Sequence, residues 1–169
     1  GGTGNDTLTS GAGNDTITTN TGTDTVTAGA GNDTVNVDNA LTAGDVIAGG
    51  DGTDTLAIDA LATAATAASV SGFEILQYET AALGAQSMAE FSANSGFTTI
   101  DTIVGAGLIT TSNATDTVTT VRSTTTGGSH TITRLIDGSA NSLTIEADDS
   151  SSASQGVTVF AAVTANNEE

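Results

Sequence analysis

No cysteine occurs in the 169 residues, so disulfides, thiolate metal sites and cysteine nucleophiles are all excluded. Proline and tryptophan are absent too, and there is one tyrosine and one histidine. With His130 the only histidine, no histidine cluster can hold a metal, and the setting Gly-Gly-Ser-His-Thr reads as a solvated turn at the head of a strand. Neither H-E-x-x-H nor G-x-S-x-G occurs, and no catalytic activity is expected. Basic residues are nearly missing. Arg122 and Arg134 stand against 20 acids, a formal charge of −18. Nucleic acid and anionic membranes are therefore excluded as partners. No apolar run approaches the ~20 residues of a membrane span. Leu, Lys and Glu, the usual material of helix bundles, give way to Thr, Ala, Ser and Gly.

What is present is a repeat. In blocks of nine the chain reads GGTGNDTLT (1–9), SGAGNDTIT (10–18), TNTGTDTVT (19–27) and AGAGNDTVN (28–36). Val37, Asp38 and Asn39 interrupt it, and ALTAGDVIA (40–48) and GGDGTDTLA (49–57) resume it. One column holds Asp6, Asp15, Asp24, Asp33, Asp45 and Asp54. Two places later stand Leu8, Ile17, Val26, Val35, Ile47 and Leu56. Glycine, Asn and Asp suit a turn that needs left-handed backbone. Triplets such as Thr7-Leu8-Thr9 suit a short strand with the aliphatic on one face and threonines on the other.

One coil buries little, so coils must stack into a solenoid. Stacking sets the aspartates at about the strand spacing of ~4.8 Å, where bare carboxylates repel. A hard cation between turns would remove the repulsion and add stability. Ca2+, which takes about 6–8 oxygens from carboxylates and carbonyls, fits better than Mg2+. The alternative is a plain Thr/Gly-rich solenoid whose aspartates only solvate the turns.

The blocks resemble the RTX nonapeptide, G-G-x-G-x-D-x-U-x. The resemblance implies an all-β fold, a calcium-binding parallel β-roll with two nonapeptides per coil and several Ca2+ ions between coils. Carried over, Asp6, Asp24 and Asp45 line one edge, and Asp15, Asp33 and Asp54 the other. The implied sites are Asp6/Asp24, Asp24/Asp45, Asp15/Asp33 and Asp33/Asp54, with Asp51 as a further ligand. Copy three departs from the pattern with Thr19-Asn20, and copy five with Ala40-Leu41 and Ala43.

Beyond the repeats, residues 60–69 read as a short helix or a solenoid loop. Strands are expected at 73–78, with Phe73, Ile75 and Gln77 on one face, and at 97–103, 116–121, 130–136, 142–147 and 157–162. A helical turn is expected at 86–91. Glu74 reads as a residue of a solenoid face. Residues 137–148 resemble a calcium loop only faintly, lacking the glycine and glutamate an EF-hand needs. The expected organisation is a roll over 1–59 and an irregular parallel β-helix over 60–169, with a small β-sandwich as the alternative for the second part.

The phrases GGDGTDTL (49–56), SGFEIL (71–76) and SGFTTI (95–100) are similar to those of RTX surface-layer proteins of Gram-negative bacteria. That likeness covers residues 1–103. It implies a secreted structural protein at the bacterial cell surface, exported by type I secretion and self-assembling into a lattice or filament. A cell-surface polysaccharide is the other implied partner. Alternatives are an export module of a secreted enzyme or toxin, or a calcium-stiffened adhesin. The chain opens inside a repeat, so a piece of a longer protein is expected.

Overall fold

A computed structural model describes residues 1–38, 41–80, 84–94, 96–102, 108–114, 120–123, 129–136, 144–147 and 156–163. The resemblance to a calcium loop at 137–148 falls largely outside these residues.

The chain winds as a parallel β-solenoid. One four-stranded sheet stacks Thr7–Ala12, Thr25–Ala30, Val46–Asp51 and Val70–Ser71. Facing it, a seven-stranded sheet runs Thr16–Thr18, Thr34–Val37, Thr55–Ile58, Ile75–Tyr78, Thr99–Thr102, Thr120–Ser123 and Thr144–Ala147. A third sheet stacks Gly84–Ser87, Leu108–Ala114, Ser129–Ile136 and Gly156–Val163. Gly2–Thr3 pairs with Asn20–Thr21 at a turn. Every pairing among the described strands is parallel, whereas a β-sandwich is built of antiparallel pairs.

Register follows the aliphatic column. Leu8, Val26, Ile47 and Val70 stand in line on one sheet. Ile17, Val35, Leu56, Leu76, Ile100, Val121 and Ile145 stand in line on the other. Val26, Val35, Ile47, Leu56, Leu76 and Ile100 are fully buried, each contributing about 1.5–3 kcal/mol of transfer free energy. Thr7, Thr9, Thr25 and Thr27 face outward, as alternation requires. Successive coils are offset by 18 residues at first and by 21 across the insertion at 37–39.

After the repeats the coils widen and aromatics fill them. Phe73, Tyr78, Phe91 and Phe97 are buried, and the rings of Phe91 and Phe97 meet edge to face at 5.3 Å. The strand at 73–78 is shorter than its expected span. It begins at Ile75, and its inward residues are Leu76 and Tyr78, in line with Leu56 and Ile58. Ile75 and Gln77 share the other, half-buried face as expected, but the buried Phe73 belongs to the preceding turn and does not join them. Residues 60–69 form a loop, tightened where Thr66 and Ala67 donate N–H bonds to Thr63 O. The expected helical turn is a 3-10 turn at Met88–Glu90. The strand Leu108–Ala114 was not expected from the sequence.

Candidate metal centre

Each repeat turn ends on its acid, where the chain passes into a strand and the ladder has not yet begun. The N–H there needs an acceptor, and the carboxylate of the next coil supplies it. Asp6 N–H donates to Asp24 Oδ1 at 2.9 Å, and Asp24 N–H to Asp45 Oδ1 at 2.8 Å. On the other edge Asp15 N–H donates to Asp33 Oδ1 and Asp33 N–H to Asp54 Oδ1, both at 2.8 Å. The six aspartates thus form two columns, grouped as the resemblance implies.

The second oxygens define the chemistry. Oδ2 of Asp6, Asp15, Asp33 and Asp54 are buried and accept no hydrogen bond. Asp24, Asp33 and Asp54 are 2%, 1% and 0% exposed. A buried carboxylate oxygen without a partner is costly, and a column of them is costlier. Burial is the main cause that pushes the Asp54 carboxyl above its ordinary range, opposed by the Asp33 N–H and reinforced by the charges of Asp33, Glu74 and Asp51.

Glycine leaves room beside these oxygens. A Cβ at Gly1 would lie 2.6 Å from both Asp6 Oδ2 and Thr19 O. Carboxylate and carbonyl oxygens therefore converge on a point that a side chain would occupy. Among the described residues no three acidic or histidine side chains group around one point. Two carboxylates and turn carbonyls per ion are what the arrangement offers, a donor set that suits a hard, oxygen-seeking cation.

The departures from the pattern have local answers. Asn20 takes the place of a glycine and adopts its left-handed backbone at φ 68°. In copy five Leu41 sinks into the core, and the turn folds on itself. Asp45 Oδ2 accepts the Thr42 N–H at 2.7 Å, and Asp45 Oδ1 accepts the Thr42 hydroxyl at 2.9 Å. Both of its oxygens are thus engaged by protein donors. Asp51 stands exposed on the outside of its turn, in register with Ala30.

The sequence reading left one acid out of the columns. Asp54 N–H donates to Glu74 Oε2 at 2.8 Å, the same bond that every earlier acid makes to its successor. Glu74-Ile75-Leu76 repeats the spacing of acid to aliphatic in Asp54-Thr55-Leu56. That spacing is the signal that could have found it. At the far ends of the same strands, Asp38, Asp59 and Glu79 follow residues in mutual register. There burial first, then the charges of Asp38 and Asp59, push the Glu79 carboxyl up.

Residues 1–35 and 41–57 match the family model of the RTX calcium-binding nonapeptide repeat (4 copies). No curated protein and no solved structure matches the chain. The buried, partnerless oxygens fit the Ca2+ that these repeats imply. The gap between the matched stretches holds the inserted residues 37–39, and the stretches on either side of it, 1–35 and 41–57, are similar to RTX calcium-binding repeats.

Proposed function

We propose that this calcium-binding solenoid is a structural segment of a secreted protein at the bacterial cell surface, one that self-assembles into a layer or filament. The observation that carries the reading is the set of four buried Oδ2 atoms without partners in a thin aliphatic core. Without a cation those charges oppose folding. With Ca2+ bound, ion binding contributes the missing free energy, as in other modules that fold on metal. Such a chain stays unfolded where calcium is scarce and folds outside the cell, which suits export by type I secretion.

Assembly is supported by the flat outer face of the roll, where Thr7 and Thr9 stand exposed in register with the exposed Thr25 and Thr27. The segment carries no chemistry of its own in this reading, and among the described residues no helix is long and apolar enough to cross a membrane.

Electron microscopy of the purified chain in millimolar calcium and in chelator tests the proposal. Sheets or filaments that form only with calcium are expected. Dispersed particles in both conditions would remove the assembly and leave a calcium-folded segment of a larger protein.

A further inference from the structure

We propose that Glu74 completes a cation site beyond the repeat array, between the turn 49–54 and the turn 72–74, and that it takes Ca2+ or another hard divalent cation. The inference rests on the reading that the repeats bind calcium.

Three observations converge. Asp54 is fully buried, and its Oδ2 accepts no hydrogen bond. That oxygen points at the place where Gly49 has no side chain. A Cβ there would lie 2.8 Å from Asp54 Oδ2 and 2.1 Å from Gly72 O. The Gly1 turn shows the same cradle, with Asp6 Oδ2 and Thr19 O. The site at the end of the array is thus built like the one at its start, yet its carbonyl comes from residue 72, outside the matched repeats. Finally, Glu74 Oε2 accepts the Asp54 N–H as Asp54 Oδ1 accepts the Asp33 N–H, which brings a second carboxylate from the neighbouring coil.

The use of glutamate has a geometric cause. Between the registered pairs Ala48↔Ser71 and Thr55↔Ile75, the repeat turn takes residues 49–54 and the later turn only 72–74. The shorter turn holds its backbone back, and the extra methylene of glutamate restores the reach. One coil on, Thr98 occupies the place, its N–H donating to Glu74 O at 2.8 Å. The acid column on this edge therefore ends at Glu74. The opposite column ends at Asp45, whose oxygens Thr42 already engages.

Equilibrium dialysis of the full chain against radioactive calcium provides the count. Glu74→Gln keeps an acceptor for the Asp54 N–H and removes the charge. It should bind one ion fewer than the wild type, with the remaining ions and the far-UV circular dichroism in saturating calcium unchanged. An equal ion count would overturn the site. A wild type that binds no calcium would instead overturn the calcium reading itself, and this site with it. Should Glu74→Gln fail to fold, wild-type crystals soaked in terbium decide the matter. An anomalous peak between Asp54 Oδ2 and Gly72 O is expected. Peaks along Asp15 and Asp33 with none at Gly49 would overturn the proposal.

Discussion

Asp33 has two separable tasks, one for each carboxylate oxygen. Oδ1 accepts the Asp15 N–H, and Oδ2 is buried without a partner. Asp33→Asn retains an acceptor and loses the charge. Asp33→Ala loses both, and leaves a buried N–H unpaired at a cost of about 1–3 kcal/mol. A tenfold change in an equilibrium corresponds to about 1.4 kcal/mol. In a calcium titration followed by circular dichroism, Asp33→Asn should raise the midpoint about tenfold, and Asp33→Ala roughly a further tenfold. An unchanged midpoint in Asp33→Asn would mean that its charge does not engage the ion. Equal midpoints for the two variants would mean that the Asp15 N–H is satisfied some other way.

Between coils, side-chain amides replace strand pairing where the chain leaves the sheets. Asn94 is buried, its Oδ1 accepting the Phe73 N–H at 2.8 Å and its Nδ2 donating to Phe73 O at 2.9 Å. Gln86 does the same for Ala62, at 2.8 and 3.2 Å. Each bracket ties a turn to the coil that follows it. Asn94→Ala strands both backbone groups of Phe73, so it should lower stability in saturating calcium by about 2 kcal/mol or more. The number of bound ions should not change, because Asn94 touches no carboxylate of either column. A lost ion would show that the Phe73 turn and the calcium turns are one cooperative element. Such brackets are hard to read in a sequence, since neither amide sits in a repeating column.

The two aspartate columns and the stacked aliphatics were legible, because a nine-residue period repeats both. The pairing of Thr42 with Asp45 was not, although T-x-x-D is a known spacing for local capping. Glu74 escaped because two features changed at once, the length of the turn and the identity of the acid. Phe73 was grouped with Ile75 and Gln77 for a related reason: it lies in the turn before the strand, where period-two alternation does not yet apply. Leu108–Ala114 has no acid two places before an aliphatic to announce it, and its backbone pairs with Gly84–Ser87 and Ser129–Ile136.

At the scale of the whole molecule, the acid excess raises the question of screening against coordination. The formal charge is −18, and residues 1–59 carry nine acids and no base. Arg122, one of the two bases, lies at 3.8 Å from Asp101, far along the solenoid from the aspartate columns. Salt alone could relieve part of the repulsion. At about 1 M the Debye length falls to ~3 Å, and exposed charges scarcely feel one another. But the oxygens that matter here are enclosed, and mobile ions in solvent do not satisfy a buried acceptor. Coordination does, and it is selective. Ca2+ tolerates irregular sets of oxygens at about 2.3–2.6 Å, whereas Mg2+ demands an octahedron at about 2.0–2.1 Å and gives up water reluctantly. Starting from chelated protein, recovery of the β signal should therefore be complete in millimolar calcium, partial in magnesium, and least in 1 M sodium chloride. Full recovery in sodium chloride would reverse the interpretation. The aspartates would then be solvating groups on turns that need only their charge screened, and the solenoid would owe its fold to the stacked aliphatics alone.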